Sequence, residues 1–373
     1  MRKILLMLNR HIWSVCFLVL MLAGVYAAYQ RSVAVPLITD THLPWSLPGA
    51  LNVVCGTALA AGGFTLAAII RTLHLARAQS LLRICVTSSF LGYLVACLGI
   101  LVDKTVLTRI CALHSNWTTN RVTTAVDCAF VLFGISVAVE FASDLHFPPK
   151  RKPVAATLAV IRTPLLWSDA GVSLLFQSIV ASALKLTPNA SKFWASPWLA
   201  FLFFISSACA GLALALMAYL LAHRAPSNAV DATLLNGTRR ILATLVFLYV
   251  YGRVADLFER GQFSLLGANL ESSMLILEMA LFIVPMFVLA SQPLPTVGVV
   301  FYCSATILAG LVANRLNTFV TSLEMGTQHF HLAPWHDFAI SYSIVVVGIV
   351  GYQLLANRLR IQEISRAEEV TTF

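Results

Sequence analysis

Charge is what this sequence has least of. Asp, Glu, Lys and Arg make up 11% of its 373 residues, against roughly 25% in an ordinary soluble domain. Apolar residues make up 59%, and the mean hydropathy is +0.83. That balance excludes a soluble globular protein, a disordered chain and a nucleic-acid-binding module. A net charge of +9 would otherwise point to acidic partners. Here it is the difference between 25 basic and 16 acidic residues, so where they sit matters more than their sum.

Cofactor ligands are also missing where they would be needed. None of the eight cysteines forms a C-x-x-C pair, and nearly all fall within or at the ends of apolar runs. An iron–sulfur cluster or a zinc site needs clustered thiolates, so these cysteines read as small packing residues. The histidines avoid the middle of every run. His11, His74, His146 and His223 fall at one surface, and His42, His114, His329, His331 and His336 at the other. Bis-histidine haem inside the membrane is therefore not expected. His329 and His331 alone read as a solvated loop. No segment between runs exceeds about 22 residues, so a soluble catalytic domain has no room and water-soluble chemistry must come from partners.

What the chain does have is long apolar stretches. A bilayer span needs about 20 such residues. Ten stretches qualify, near 12–29, 47–70, 82–102, 123–142, 155–184, 198–221, 241–258, 272–290, 297–319 and 338–357. They are continuous rather than alternating, so the expected fold class is all-α, a polytopic helical membrane protein rather than a barrel. The fifth stretch is too long for one straight span, and Pro164 inside it predicts a kink or a change of direction. Arg2, Lys3 and Arg10 before the first run resemble a signal peptide. No small-residue cleavage site follows closely, so the run reads as a retained helix.

With the N-terminus in the cytoplasm, fifteen Lys and Arg fall on inner segments and seven on outer segments. Arg162, Arg253 and Arg315 remain inside spans. The positive-inside rule therefore predicts both termini in the cytoplasm, across a bacterial-type inner membrane. Residues 1–373 read as one integral membrane domain, with helical halves near 1–186 and 187–373.

Ionisable residues at membrane depth are costly and usually functional. On this topology most gather toward the outer face. Asp103 ends the third span and Asp127 begins the fourth. Arg253 and Asp256 stand three residues apart near the end of the seventh, where a helix pairs them. Glu278 lies about two turns into the eighth, Arg315 and Asn317 near the end of the ninth, and Asp337 opens the tenth. Asn52 and Gln177 are polar residues at similar depth, whereas Asp169, Arg162 and Glu140 lie deeper or toward the inner face. Two readings stay open. Arg253, Asp256, Glu278 and Arg315 can neutralise one another as internal ion pairs, or they can line a polar pocket with a partial proton route inward.

Residues 44–63, PWSLPGALNVVCGTALAAGG, resemble the NrfD/polysulfide-reductase family of membrane subunits, in particular its HybB-like branch from nickel–iron hydrogenases. The resemblance continues in SFLGYLVACLGILVD (89–103), VAVEFA (137–142) and GRVADLFERGQFS (252–264). It extends through LEMALFIVP (277–285), ANRLN (313–317) and APWHDF (333–338). It covers nearly the whole chain through loose motifs in a shared order. It implies paired four-helix bundles with peripheral helices, no haem or iron–sulfur cluster in this chain, and no bound metal.

The same resemblance implies a membrane subunit of a respiratory oxidoreductase that binds quinone, either menaquinone or ubiquinone. It implies an iron–sulfur, ferredoxin-like subunit on the outer face, fed by a hydrogenase, a molybdenum enzyme or a multihaem cytochrome. Quinone reduction needs hydrogen-bond donors at the carbonyl oxygens and groups that deliver protons. Asp103 and Asp127 are the expected proton-handling residues, with Asn52, Tyr93, Gln177 and Trp45 around the head group. Arg253, Asp256, Glu278, Arg315, Asn317, Asp169 and Glu140 would form the polar core or proton path. Asn52, Ala125 and Phe176 stand where the family pattern has carboxylates and a histidine, which favours an alternative: a redox-inactive anchor or assembly subunit. A secondary transporter is a further alternative, permitted by ten helices with buried charges. Lipid is the remaining expected partner, and nucleic acid is not one.

Overall fold

The structure is a computed structural model. It describes residues 17–29, 49–75, 78–102, 128, 131–132, 134–135, 152–185, 191–223, 230–267, 269–291, 296–322 and 335–358. Among these residues the chain is helical without a strand, and eight helices are long and apolar enough to cross a membrane. The protein is a multi-pass helical membrane protein. The expected first span is a shorter apolar helix, Phe17–Tyr29 (α1). Most of the expected fourth, near 123–142, lies outside the described residues.

The remaining helices are α2 (Cys55–Thr72), α3 (Gln79–Val102), α4 (Lys152–Lys185), α5 (Leu199–Ala222), α6 (Ala232–Glu259), α7 (Leu270–Ser291), α8 (Val297–Leu316) and α9 (Trp335–Arg358). A π-helical segment, Gly49–Val54, leads into α2, and another, Asn317–Thr321, continues α8. Pro164, where the sequence predicts a kink or a change of direction, does not end the helix. The α4 helix runs unbroken through that proline for 34 residues, about 50 Å at 1.5 Å per residue. Only Thr163–Ser182 within it forms the apolar span.

Local chemistry sets the helix ends. Asp231 caps α6 by accepting from the backbone N–H groups of Thr233 and Leu234 at 2.8 and 3.2 Å. Gly261, at φ +65°, ends it in the left-handed conformation that glycine adopts freely. Hydroxyls inside the apolar helices bond backward to their own backbone, as Thr57 does to the Val53 carbonyl at 2.8 Å and Thr65 to that of Ala61 at 2.8 Å. Burial in an apolar layer therefore leaves these two groups satisfied.

The helices α5, α6, α7 and α8 pack in a closed ring, each against the next, to make a four-helix bundle. Beside it α2 contacts α3, α4 and α5, and α9 covers α3. In membranes close approach of backbones replaces the hydrophobic drive between helices. The sequence supplies it as glycine. A Cβ at Gly62 would collide with the Ser207 carbonyl of α5, and one at Gly211 with the Gly62 backbone. On its other side α2 meets α3 at Gly56 and Gly92 in the same way.

Candidate functional site

One end of the molecule holds a buried network of charges. The start of α2, the ends of α3 and α4, the start of α5, the end of α6, the start of α7 and the end of α8 meet there. The segment Ser191–Trp198 joins α4 to α5 and lies over the bundle at this end. Its Ser191 N–H donates to the Ser322 carbonyl at 3.0 Å, which ties it to the chain beyond α8.

Glu278 is the centre of this end and is fully buried. Its Oε1 accepts from the Tyr249 hydroxyl at 3.0 Å and the Asn314 amide at 2.9 Å. Its Oε2 accepts from the Trp194 indole at 3.2 Å and the Asn317 amide at 3.0 Å. One carboxylate thus ties α6, α7, α8, the π-helical segment after α8 and the Ser191–Trp198 segment together. Charge-assisted bonds of this kind are roughly twice as strong as neutral ones.

Asp256 is the second hub. Arg260 grips it from one turn away, with Nε 3.0 Å from Oδ1 and Nη2 2.6 Å from Oδ2. Ser196 Oγ donates to Oδ1 at 2.6 Å. The same guanidinium donates to the backbone carbonyls of Lys192 and Phe193. Arg260 therefore anchors the covering segment as well as the carboxylate.

The remaining two arginines are held in different ways, Arg253 in the expected pairing with Asp256 and Arg315 apart from it. Arg253 lies beside both carboxylates, 3.6 Å from Asp256 and 4.0 Å from Glu278. It makes no hydrogen bond to a described residue although it is 1% exposed. The expected mutual neutralisation of four charges does not extend to Arg315, which forms no ion pair with a described carboxylate. Neutral acceptors hold it instead: the Asn314 side chain at 2.8 Å, the Phe203 carbonyl at 3.0 Å and the Ser206 and Ser207 hydroxyls, each at 3.2 Å. Its guanidinium also sits 3.7 Å over the Phe203 ring, a cation–π contact.

Two amides in the first half are buried without partners among the described residues. Asn52 and Gln177 are each 1% exposed, and neither the oxygen nor the nitrogen of either side chain has a hydrogen bond to a described residue. Asn52 sits in the π-helical segment before α2, with its Cβ pressed against Gly99 near the end of α3. Cys55, three residues on, is within electrostatic reach of Arg315. Gln177 is about two turns from the end of α4. Both belong to the charged end of the molecule.

The other expected site residues divide. Tyr93 is buried and lies against Gly134 of the stretch beyond α3. Asn317 joins the Glu278 network, and Asp169 is fully buried within α4. Asp103, Asp127, Trp45 and Glu140 lie outside the described residues. The sequence reading missed Trp194, Ser196, Tyr249, Asn314 and Arg260. Asn314 was in view beside Arg315. Trp194 and Tyr249 look like ordinary aromatics, and Arg260 like an ordinary loop cation. Among the described residues no group of three or more His, Cys, Asp or Glu is placed to hold a metal ion.

The fold and this network define a class, a multi-pass helical membrane protein with a buried network of charges at one end. No protein-family model matches the chain. It is 24% identical over 335 residues to a protein of Nitratidesulfovibrio vulgaris (strain Hildenborough) named only "Protein", with 86% of each chain covered.

Proposed function

We infer that this chain is a non-autonomous, haem-free membrane subunit of a quinone-linked respiratory oxidoreductase. In this reading it binds menaquinone or ubiquinone and exchanges electrons with an iron–sulfur subunit docked at the charged end. A hydrogenase, a molybdenum enzyme or a multihaem cytochrome supplies or takes the electrons. The positive-inside count puts that end on the outer side of a bacterial inner membrane, with both termini in the cytoplasm. The observation that carries the reading is the pair of buried amides without partners among the described residues, Asn52 and Gln177. A buried polar group without a partner is costly. A quinone head group supplies carbonyl acceptors for amide N–H groups, and its tail needs only lipid-like walls.

The test is to purify the complex from membranes, extract its quinone and follow electron flux to an added quinone analogue. The expected result is bound quinone and a flux lowered at least tenfold by Asn52→Leu or Gln177→Leu. Bound quinone with a flux indifferent to both substitutions rejects the site. Absence of flux from the intact complex supports the second reading, a redox-inactive anchor. The saturation of Glu278 and Asp256 by protein partners favours that reading, since both carboxylates are spent on holding helices together.

A further inference from the structure

We propose that the α5–α8 bundle binds a small monovalent anion at the guanidinium of Arg253. The argument starts from the five N–H donors of arginine. At Arg253 none of the three nitrogens that bear them has a hydrogen bond to a described residue, in a side chain that is 1% exposed. Its two carboxylate neighbours are already spent. Asp256 is occupied by Arg260 and Ser196, and Glu278 takes four donors.

The charge count points the same way. The network holds three guanidiniums and two carboxylates. Asp256 is shared between Arg260 at 2.6 Å and Arg253 at 3.6 Å, and Arg260 reaches the surface with 17% of its side chain exposed. Among the described residues that leaves one positive charge in excess, with Arg253 beside Asp256 and Glu278 and Arg315 beside neither. Among the described residues Arg315 has only neutral acceptors, and its Nε lacks a hydrogen bond. Both guanidiniums act electrostatically on Tyr249, so they converge on one region. A low-dielectric interior does not hold an uncompensated cation cheaply. Both carboxylates beside Arg253 are taken by other donors, so the groups left unused are guanidinium N–H donors, which selects a ligand that only accepts. A halide or a small carboxylate such as formate has that chemistry, and a second cation or a neutral donor does not.

The experiment uses the full chain in nanodiscs of uncharged lipid, with chloride, bromide or formate exchanged for gluconate at constant ionic strength. The unfolding temperature is expected to rise saturably, by several degrees, with chloride, bromide or formate. Arg253→Lys keeps the charge but loses the fork, and is expected to weaken the midpoint at least tenfold. Arg240→Lys, at an exposed position on α6, is expected to leave it unchanged. A response to formate alone assigns the site to carboxylates, and a response to halides assigns it to them. An unfolding temperature indifferent to all three anions overturns the proposal. So does an equal response in Arg253→Lys, which marks an adventitious ion only. Should Arg253→Lys fail to fold, bromide located by anomalous scattering in the native protein decides: density at Arg253 supports the site, and its absence at saturating bromide overturns it.

Discussion

Glu278 shows at the scale of one side chain how a membrane interior tolerates a carboxylate. Four donors converge on it, and Arg253 stands 4.0 Å away. Removing the charge strands those donors in a place without water. Glu278→Gln is expected to destabilise the protein by about 3–5 kcal/mol, the range for breaking a buried charged contact. Trp194→Phe removes one donor and keeps most of the packing, so its expected cost is about 1–3 kcal/mol. Denaturation in detergent micelles, followed by tryptophan fluorescence for Glu278→Gln and by circular dichroism for both, checks the ranking. The Arg253–Asp256 pair was legible in the sequence because a spacing of three fixes neighbours on a helix. The donors to Glu278 were not, because they come from three distant stretches of the chain, around Trp194, Tyr249 and Asn314–Asn317, that only tertiary packing brings together. The partners of Arg315 were hidden for the same reason: its acceptors include a backbone carbonyl and two serines of α5, which no charge count registers.

At the scale of helices, glycine carries opposite meanings at different sites. Gly62 and Gly211 let α2 and α5 touch backbone to backbone. Gly171 in α4 has nothing within 4 Å of where a Cβ would stand. Gly62→Ala is expected to force the helices apart and cost about 1–3 kcal/mol. Gly171→Ala is expected to gain up to about 1 kcal/mol through helix propensity. Unfolding in increasing SDS measures both, and a shared sign would contradict the packing described here. The existence of these helices was readable from apolar run length alone, because lipid demands it. Their ends were less so. The apolar count began α6 near residue 241, whereas its first turns are amphipathic and the Asp231 cap starts the helix at Ala232.

For the whole molecule the asymmetry of charge is the main feature. The network occupies one end, and Arg239 lies toward the other, where it donates to the Leu289 carbonyl of α7. The proposed orientation makes a direct prediction. A cysteine at Ser264, between α6 and α7, should react with a membrane-impermeant maleimide in intact cells. A cysteine at Thr233, at the opposite end of α6, should react only after permeabilisation. Labelling is read against the unsubstituted protein, and the reverse pattern inverts the topology. The fold class was fixed by composition, whereas the side of the membrane rests on an arithmetic of loops that packing does not encode.

The network also bears on how the chain is made. Synthesis delivers helices in order, from the N-terminus. The α6 helix brings Arg253 together with Asp256, its own counterion, three residues later. When Glu278 arrives in α7, Arg253 and Tyr249 are already present. When Arg315 arrives in α8, the Phe203 carbonyl, Ser206 and Ser207 have been waiting since α5. Each charge of this network thus enters the bilayer after at least one of its partners or alongside it. The arrangement that holds the finished bundle together is also a sequence of arrivals in which no ion of the network has to wait alone in the lipid.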